Sequence, residues 1–135
     1  MKKRDAERFS FVKVYVNLAE ILTDHKLAAL GDAFINFIYS LALSDKKGQP
    51  SGAKVKGSVL AEALRRAGFR EYMPQRVTRH MLADAAEAII VYAWIKNCIE
   101  LEECVKILRE AENSIEGFSQ LLMKIKERIM LVRAF

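Results

Sequence analysis

Two long stretches of this 135-residue sequence are almost free of charge, and the exceptions are three acidic residues. Asp32 is the only charged residue in 27–44, and Asp84 and Glu87 are the only ones in 81–95. Helices that are apolar on all sides are normally buried, so we expect these carboxylates to be buried too. An unpaired buried carboxylate is costly and needs compensation. Carboxylate oxygens suit Mg²⁺, so the three acids predict a divalent-metal site. Neutralisation of each acid by an arginine is the alternative.

The spacing of the three acids also indicates that they meet. Asp84 and Glu87 are three residues apart, which places them on one helical face about 5–6 Å from each other at Cβ. Small residues surround both acidic positions and let two helices approach to about 8 Å. These small residues are Ala28, Ala29, Gly31 and Ala33 in the first stretch, and Ala83, Ala85, Ala86 and Ala88 in the second. His80 lies one turn before Asp84, and we interpret it as a hydrogen-bond partner rather than a metal ligand.

Apolar residues recur at spacings of three and four along the whole chain, which predicts an all-α fold of about seven helices. Nothing divides the sequence, so we expect one domain over 1–135. Thr23-Asp24 and Ser58 are the expected N-caps of the second and third helices. Pro50 and its polar neighbours predict a loop over 45–57. The predicted helices are 5–22, 25–44, 58–68, a brief turn before Pro74, 76–97, 100–115 and 118–133, with Gly117 separating the last two.

Composition narrows the function classes. Hydrophobic residues make up 52% of the chain and charged residues 29%, which excludes disorder and suggests extra apolar surface for a subunit interface. The net charge of +5 favours a polyanionic partner. Between positions 45 and 80 there are nine lysines and arginines but only three acidic residues. Lys54, Lys56 and Arg76 are the candidates to contact the polyanionic partner.

Other classes receive little support from the sequence. Cys98 and Cys104 form neither a metal-binding nor a disulfide pattern, so we expect a reducing, cytoplasmic setting. The second apolar stretch is too short to cross a bilayer, and both stretches carry acids near their middles, so no membrane is expected. No nucleophile and base stand at an informative spacing, and no small-molecule cofactor is expected.

The two acidic segments together resemble the ribonuclease III family. Leu30-Gly31-Asp32-Ala33 is similar to the core of its signature helix, and residues 82–90 are similar to its second motif, Asp-x-x-Glu followed by Ala and aliphatic residues. The resemblance covers roughly 20–100. In size the chain is similar to mini-ribonuclease III proteins and small archaeal relatives, which lack a separate double-stranded-RNA-binding domain.

This resemblance implies a homodimeric enzyme that hydrolyses double-stranded RNA and leaves 5′-phosphate and 3′-hydroxyl ends. It implies that Asp32 and Glu87 are the principal Mg²⁺ ligands, that Asp84 supports them, and that Mn²⁺ can substitute. It also identifies the polyanion that Lys54, Lys56 and Arg76 would contact as RNA.

One departure from the family pattern leaves an alternative open. Full-length bacterial members carry a glutamate one turn before the signature aspartate, where this chain has Ala28, and His25 replaces an acid one turn earlier again. The chain could therefore be a non-cleaving relative that binds structured RNA, for example in ribosome assembly. A helical protein–protein adaptor is a third class, which would explain the apolar excess but not the three acids.

Overall fold

The chain folds as a set of α-helices, with no strand in the part that the computed structural model describes, residues 9–132. Six α-helices and one short 3₁₀ helix, Arg70–Tyr72, account for its regular structure. This confirms the all-α prediction. The α-helices are α1 (Leu18–Leu22), α2 (His25–Lys47), α3 (Gly57–Arg66), α4 (Arg79–Ile95), α5 (Leu101–Glu110) and α6 (Ser114–Val132).

Helix α4 is the centre of the fold, and α1, α2, α3 and α6 pack against it. Thr78 caps its N-terminus by accepting a hydrogen bond from the Met81 amide. From Leu82 onward nearly every side chain of α4 is buried, including Ile89, Ile90 and Tyr92. A short aliphatic run flanked by alanines allows neighbours to pack on all sides, which is why α4 carries so little charge.

Helix α2 is the longest helix of the described chain and is buried on one side only. Asp24 caps its N-terminus, as predicted, by accepting from the Lys26 and Leu27 amides. Its other end is set by Gly48 in the left-handed conformation (φ 75°), so the helix runs three residues further than predicted. Ile35 and Ile38 are buried. The expectation that 27–44 would be buried on all sides is wrong, because the opposite face exposes apolar residues, among them Leu30 (41%) and Phe37 (55%).

By length and composition alone, α2 would also be long enough to span a membrane. This is weak evidence, since the core helix of a soluble protein passes the same test. In the structure α2 packs along α4 and α5.

The predicted first helix over 5–22 is wrong for residues 9–17, and 5–8 lie outside the described residues. Helix α1 begins only at Leu18, where the Asn17 side chain caps it. The β-branched residues Val12, Val14 and Val16 favour extended backbone before that point. Tyr15 then fixes the segment, because its buried ring meets the Tyr92 ring edge-on and its hydroxyl donates to Asp24 at 2.5 Å.

Two further helix boundaries differ from the prediction. Ser58 is not a cap, since α3 begins at Gly57 after Lys56. Gly117 does not separate the last two helices, because the break falls at residues 111–113 and Gly117 lies inside α6. A Cβ at Gly117 would come within 3.2 Å of Ala111 Cβ, so this glycine serves close packing against α5 and its end. The apolar stripe of α6 is buried and consists of Phe118, Leu121, Leu122, Ile125 and Ile129.

Candidate active site

The two acidic helices touch at Gly31. A Cβ placed on Gly31 would lie 2.0 Å from the carbonyl oxygen of Glu87, so the backbone of α2 rests directly on the backbone of α4. Only glycine permits this approach, since any side chain would occupy the same space as that carbonyl. The predicted crossing of two small-residue faces is therefore present, and it places Asp32 beside Glu87.

Asp32 and Glu87 are neighbouring acids of the site. Their carboxyl groups lie within hydrogen-bonding distance. Burial, then the charge and the hydrogen bond of Asp32, then the charge of Asp84, raise the pKa of Glu87 to about 8. Without a cation, the protonated form of Glu87 is therefore favoured at neutral pH.

The burial of the three acids differs from the prediction. Asp32 is exposed, while Asp84 and Glu87 are partly buried, so none of the three is enclosed in the core. The difference follows from α2, whose outward face carries Asp32. A carboxylate at the surface can reach solvent and a large ligand, whereas an enclosed one could not.

Asp84 lies close to two histidines. Its Oδ2 atom lies 3.4 Å from His25 Nδ1 and 3.5 Å from His80 Nε2. His80 thus borders the acid as expected, and His25 joins it from the start of α2. Within residues 9–132, no arginine pairs with any of the three acids, so the alternative of arginine neutralisation receives no support.

The donor set suits Mg²⁺ only in a partly hydrated form. In the described part of the chain, no group of three or more His, Cys, Asp or Glu side chains is arranged to hold a metal ion. Mg²⁺, however, is usually bound through one or two carboxylates and keeps several waters. The Asp32–Glu87 pair meets that requirement, and Asp84 lies one turn away on α4.

A polar stripe on α2, which the sequence analysis missed, continues from Asp32. Asn36, Ser40 and Ser44 follow at intervals of four and bind the backbone of the loop over 51–55. The Val55 amide donates to Asn36 Oδ1 (2.8 Å), the Ala53 amide to Ser40 Oγ (2.9 Å) and the Ser51 amide to Ser44 Oγ (2.8 Å). Three polar residues at helical spacing in an otherwise apolar helix were the available signal.

This stripe brings two of the predicted RNA-contacting residues to the site. Lys54 and Lys56 are exposed on either side of Val55. Gly57, the next residue, lies against α4, where a Cβ would be 3.7 Å from Ala83 Cβ. The basic loop therefore passes from Asn36 on α2 to Ala83 on α4, one helical turn before Glu87.

Some arginines between positions 45 and 80 have hydrogen-bond or ion-pair partners among residues 9–132, and Arg76 does not. Arg65 and Arg66 both pair with Glu62, and Arg70 binds the carbonyls of Pro74 and Gln75, so these arginines serve the fold. Arg76 is exposed in the loop before α4. Within the described residues, Lys54, Lys56 and Arg76 have no side-chain partner, which leaves their charges available.

Comparison with known families assigns this arrangement to a class. A model of the ribonuclease III family, described as Ribonuclease III, matches residues 25–132. The chain belongs to the ribonuclease III family. The match contains Asp32, Asp84 and Glu87 and extends through α5 and α6, beyond the range over which the sequence resemblance was recognised. No individual curated protein matches the chain closely enough to count as a relative.

Proposed function

We propose that this protein is a metal-dependent endoribonuclease that hydrolyses double-stranded or structured RNA to 5′-phosphate and 3′-hydroxyl ends. Membership of the ribonuclease III family supports RNA endonuclease activity. The observation that carries the finer proposal is the Asp32–Glu87 pair at the Gly31 contact, beside exposed lysines. A carboxyl group whose pKa is raised by burial and by a neighbouring acid is poised to exchange its proton for a cation.

Asp32 and Glu87 would hold Mg²⁺, or Mn²⁺ in its place, with Asp84 in support. When bound, the cation supplies Lewis-acid activation of a phosphodiester and of water. Glu87 would release its proton when the cation binds. Asp32 would hold the cation from the exposed side, where the substrate approaches. His25 and His80 would hold the Asp84 carboxylate in place.

Lys54, Lys56 and Arg76 would attract the RNA backbone. Duplex RNA is recognised mostly by its shape and by contacts to phosphates and 2′-hydroxyls, so exposed cations at fixed positions suffice. The acids lie at the surface, where a broad duplex can reach them. This supports an RNA substrate over a small molecule, and no small-molecule cofactor is proposed.

We further expect a homodimer in the cytoplasm. The outward face of α2 exposes Leu30 and Phe37, and the exposed Phe9 and Phe11 rings stack nearby, Phe9 against Trp94. Trp94 in turn stacks on Phe34 of α2. A continuous apolar surface of this kind is typical of a symmetric subunit interface.

A non-cleaving RNA-binding protein is the second candidate, and Ala28 favours it. Ala28 is buried on α2, so the place of the family's additional glutamate is filled by a methyl group packed in the core. The site consequently has one oxygen ligand fewer than the family pattern implies, and a second cation would be held less firmly.

Cleavage of a perfect RNA duplex, measured for the parent protein and for the Glu87→Gln variant, separates the two candidates. The substitution is nearly isosteric and removes only the ionisable group, so cleavage should fall by at least about a thousandfold while duplex binding persists. Glu112→Gln, at an exposed position after α5, is the matched control and should cleave as the parent does. A parent protein that binds duplex but leaves it uncut in both Mg²⁺ and Mn²⁺ would establish the non-cleaving function.

A further inference from the structure

Asn36 stands between the acid pair and the basic loop and contacts both. Its Oδ1 atom accepts from the Val55 amide at 2.8 Å, and its Nδ2 atom donates to Asp32 Oδ1 at 3.2 Å. The backbone amide of Val55 can only donate, so the oxygen of the Asn36 side chain must face it. The NH₂ group is therefore directed to Asp32, and the orientation of the amide is determined.

From this geometry we propose that Asn36 is a positioning residue that fixes Asp32 and the Lys54–Lys56 segment relative to each other. The inference rests on the proposed metal-dependent function. Asn36 donates to Oδ1, so the other carboxylate oxygen of Asp32 would be the one that binds a cation. By accepting from Val55, it holds the two flanking lysines at a constant distance from that oxygen.

The neighbouring serines show why Asn36 differs from an ordinary loop anchor. Ser40 and Ser44 bind the same loop from the same stripe of α2, and Ser44 also donates to the Ser40 carbonyl. Both lie further along α2 from Asp32 than Asn36 does, and neither has a hydrogen bond to an acid among the described residues. Among residues 9–132, Asn36 alone joins the loop to a proposed metal ligand, and an outer contact of this kind orients the ligand.

The test measures metal binding directly, as the rise in melting temperature of the protein during an Mg²⁺ titration. Asn36→Ala should raise the Mg²⁺ concentration at the midpoint by about tenfold, the usual cost of losing an orienting contact. Ser40→Ala and Ser44→Ala are the matched controls. They remove a comparable loop anchor and should lower the metal-free melting temperature without moving the Mg²⁺ midpoint. Asp32→Asn should abolish the Mg²⁺ effect.

Each outcome decides between the two proposals. If Asp32→Asn abolishes the effect but Asn36→Ala shifts the midpoint no more than Ser44→Ala does, the positioning role is overturned and the metal site stands. A parent protein whose melting temperature is insensitive to Mg²⁺ would overturn the metal site and the positioning role together. The metal-free melting curves show whether each variant is folded, so a misfolded variant is not mistaken for either result.

Discussion

Helices α2 and α4 have similar compositions but opposite environments. Both contain a long stretch, 27–44 or 81–95, in which the only charged residues are the acids of the site. Yet α4 is enclosed by its neighbours, whereas α2 buries Ile35 and Ile38 on one side and exposes Leu30 and Phe37 on the other. The absence of charge therefore has two different causes. In α4 it reflects the buried core, and in α2 it leaves an apolar face exposed.

The comparison explains how an acidic pair can be both coupled and accessible. Glu87 comes from the enclosed helix, so burial raises its pKa. Asp32 comes from the outward face of the half-buried helix and keeps the pair in contact with solvent. Two enclosed helices would have hidden both acids, and two surface helices would have left neither pKa shifted by burial.

The largest expected difference between the helices is in the cost of truncating an apolar side chain. Ile89→Ala on α4 should destabilise the protein by about 4 kcal/mol, because Ile89 is completely buried. Phe37→Ala on α2 should cost about 1 kcal/mol or less in the monomer, since the side chain is 55% exposed. Its effect should instead appear in light scattering as weaker self-association.

Ile35→Ala is the control for that comparison, because Ile35 lies on the buried side of α2. In urea unfolding it should cost nearly as much as Ile89→Ala. Equal destabilisation by Phe37→Ala and Ile35→Ala would show that α2 is enclosed after all.

A smaller effect is expected at the contact between the two helices. Gly31→Ala should cost about 3 kcal/mol, the upper part of the range for overpacking, because the new Cβ would meet the Glu87 carbonyl. Gly57→Ala is a matched change at a helix start, where the nearest contact would be an ordinary 3.7 Å. It should be neutral or stabilising by about 0.5 kcal/mol. Similar denaturation midpoints for the two variants would contradict the backbone contact.

The smallest effect is a dependence of metal-free stability on pH. The pKa of Glu87 is 4.5 in an ordinary environment and about 8 in the fold, so between these values the folded state binds more protons than the unfolded chain. Stability from this group is complete below the lower value and is lost as pH rises through the upper one. The melting temperature in chelator should therefore fall by a few degrees more for the parent than for Glu87→Gln between about pH 6 and about pH 8.5. Parallel curves would mean that Glu87 titrates normally.

The position of the three acids could be predicted because their spacing and the apolar residues around them follow the helical repeat. Helical spacing placed Asp84 and Glu87 on one face of α4, and the small residues around Gly31 predicted the contact between α2 and α4. The outward face of α2 could not be predicted, since the apolar residue types on its exposed face are the same as those of a buried helix. The non-helical segment over 9–17 was also missed, because its conformation depends on the contacts of Tyr15 with Asp24 and Tyr92.

The contact at Gly31 has a consequence for how this protein tolerates change. Most distances in a protein depend on side chains, which repack when a neighbour is substituted. At the acid pair, the separation between the two helices is set by direct contact of their backbones. Repacking of side chains elsewhere does not change this separation. Substitutions in the aliphatic core can therefore lower the stability of the fold while the distance between Asp32 and Glu87 stays the same.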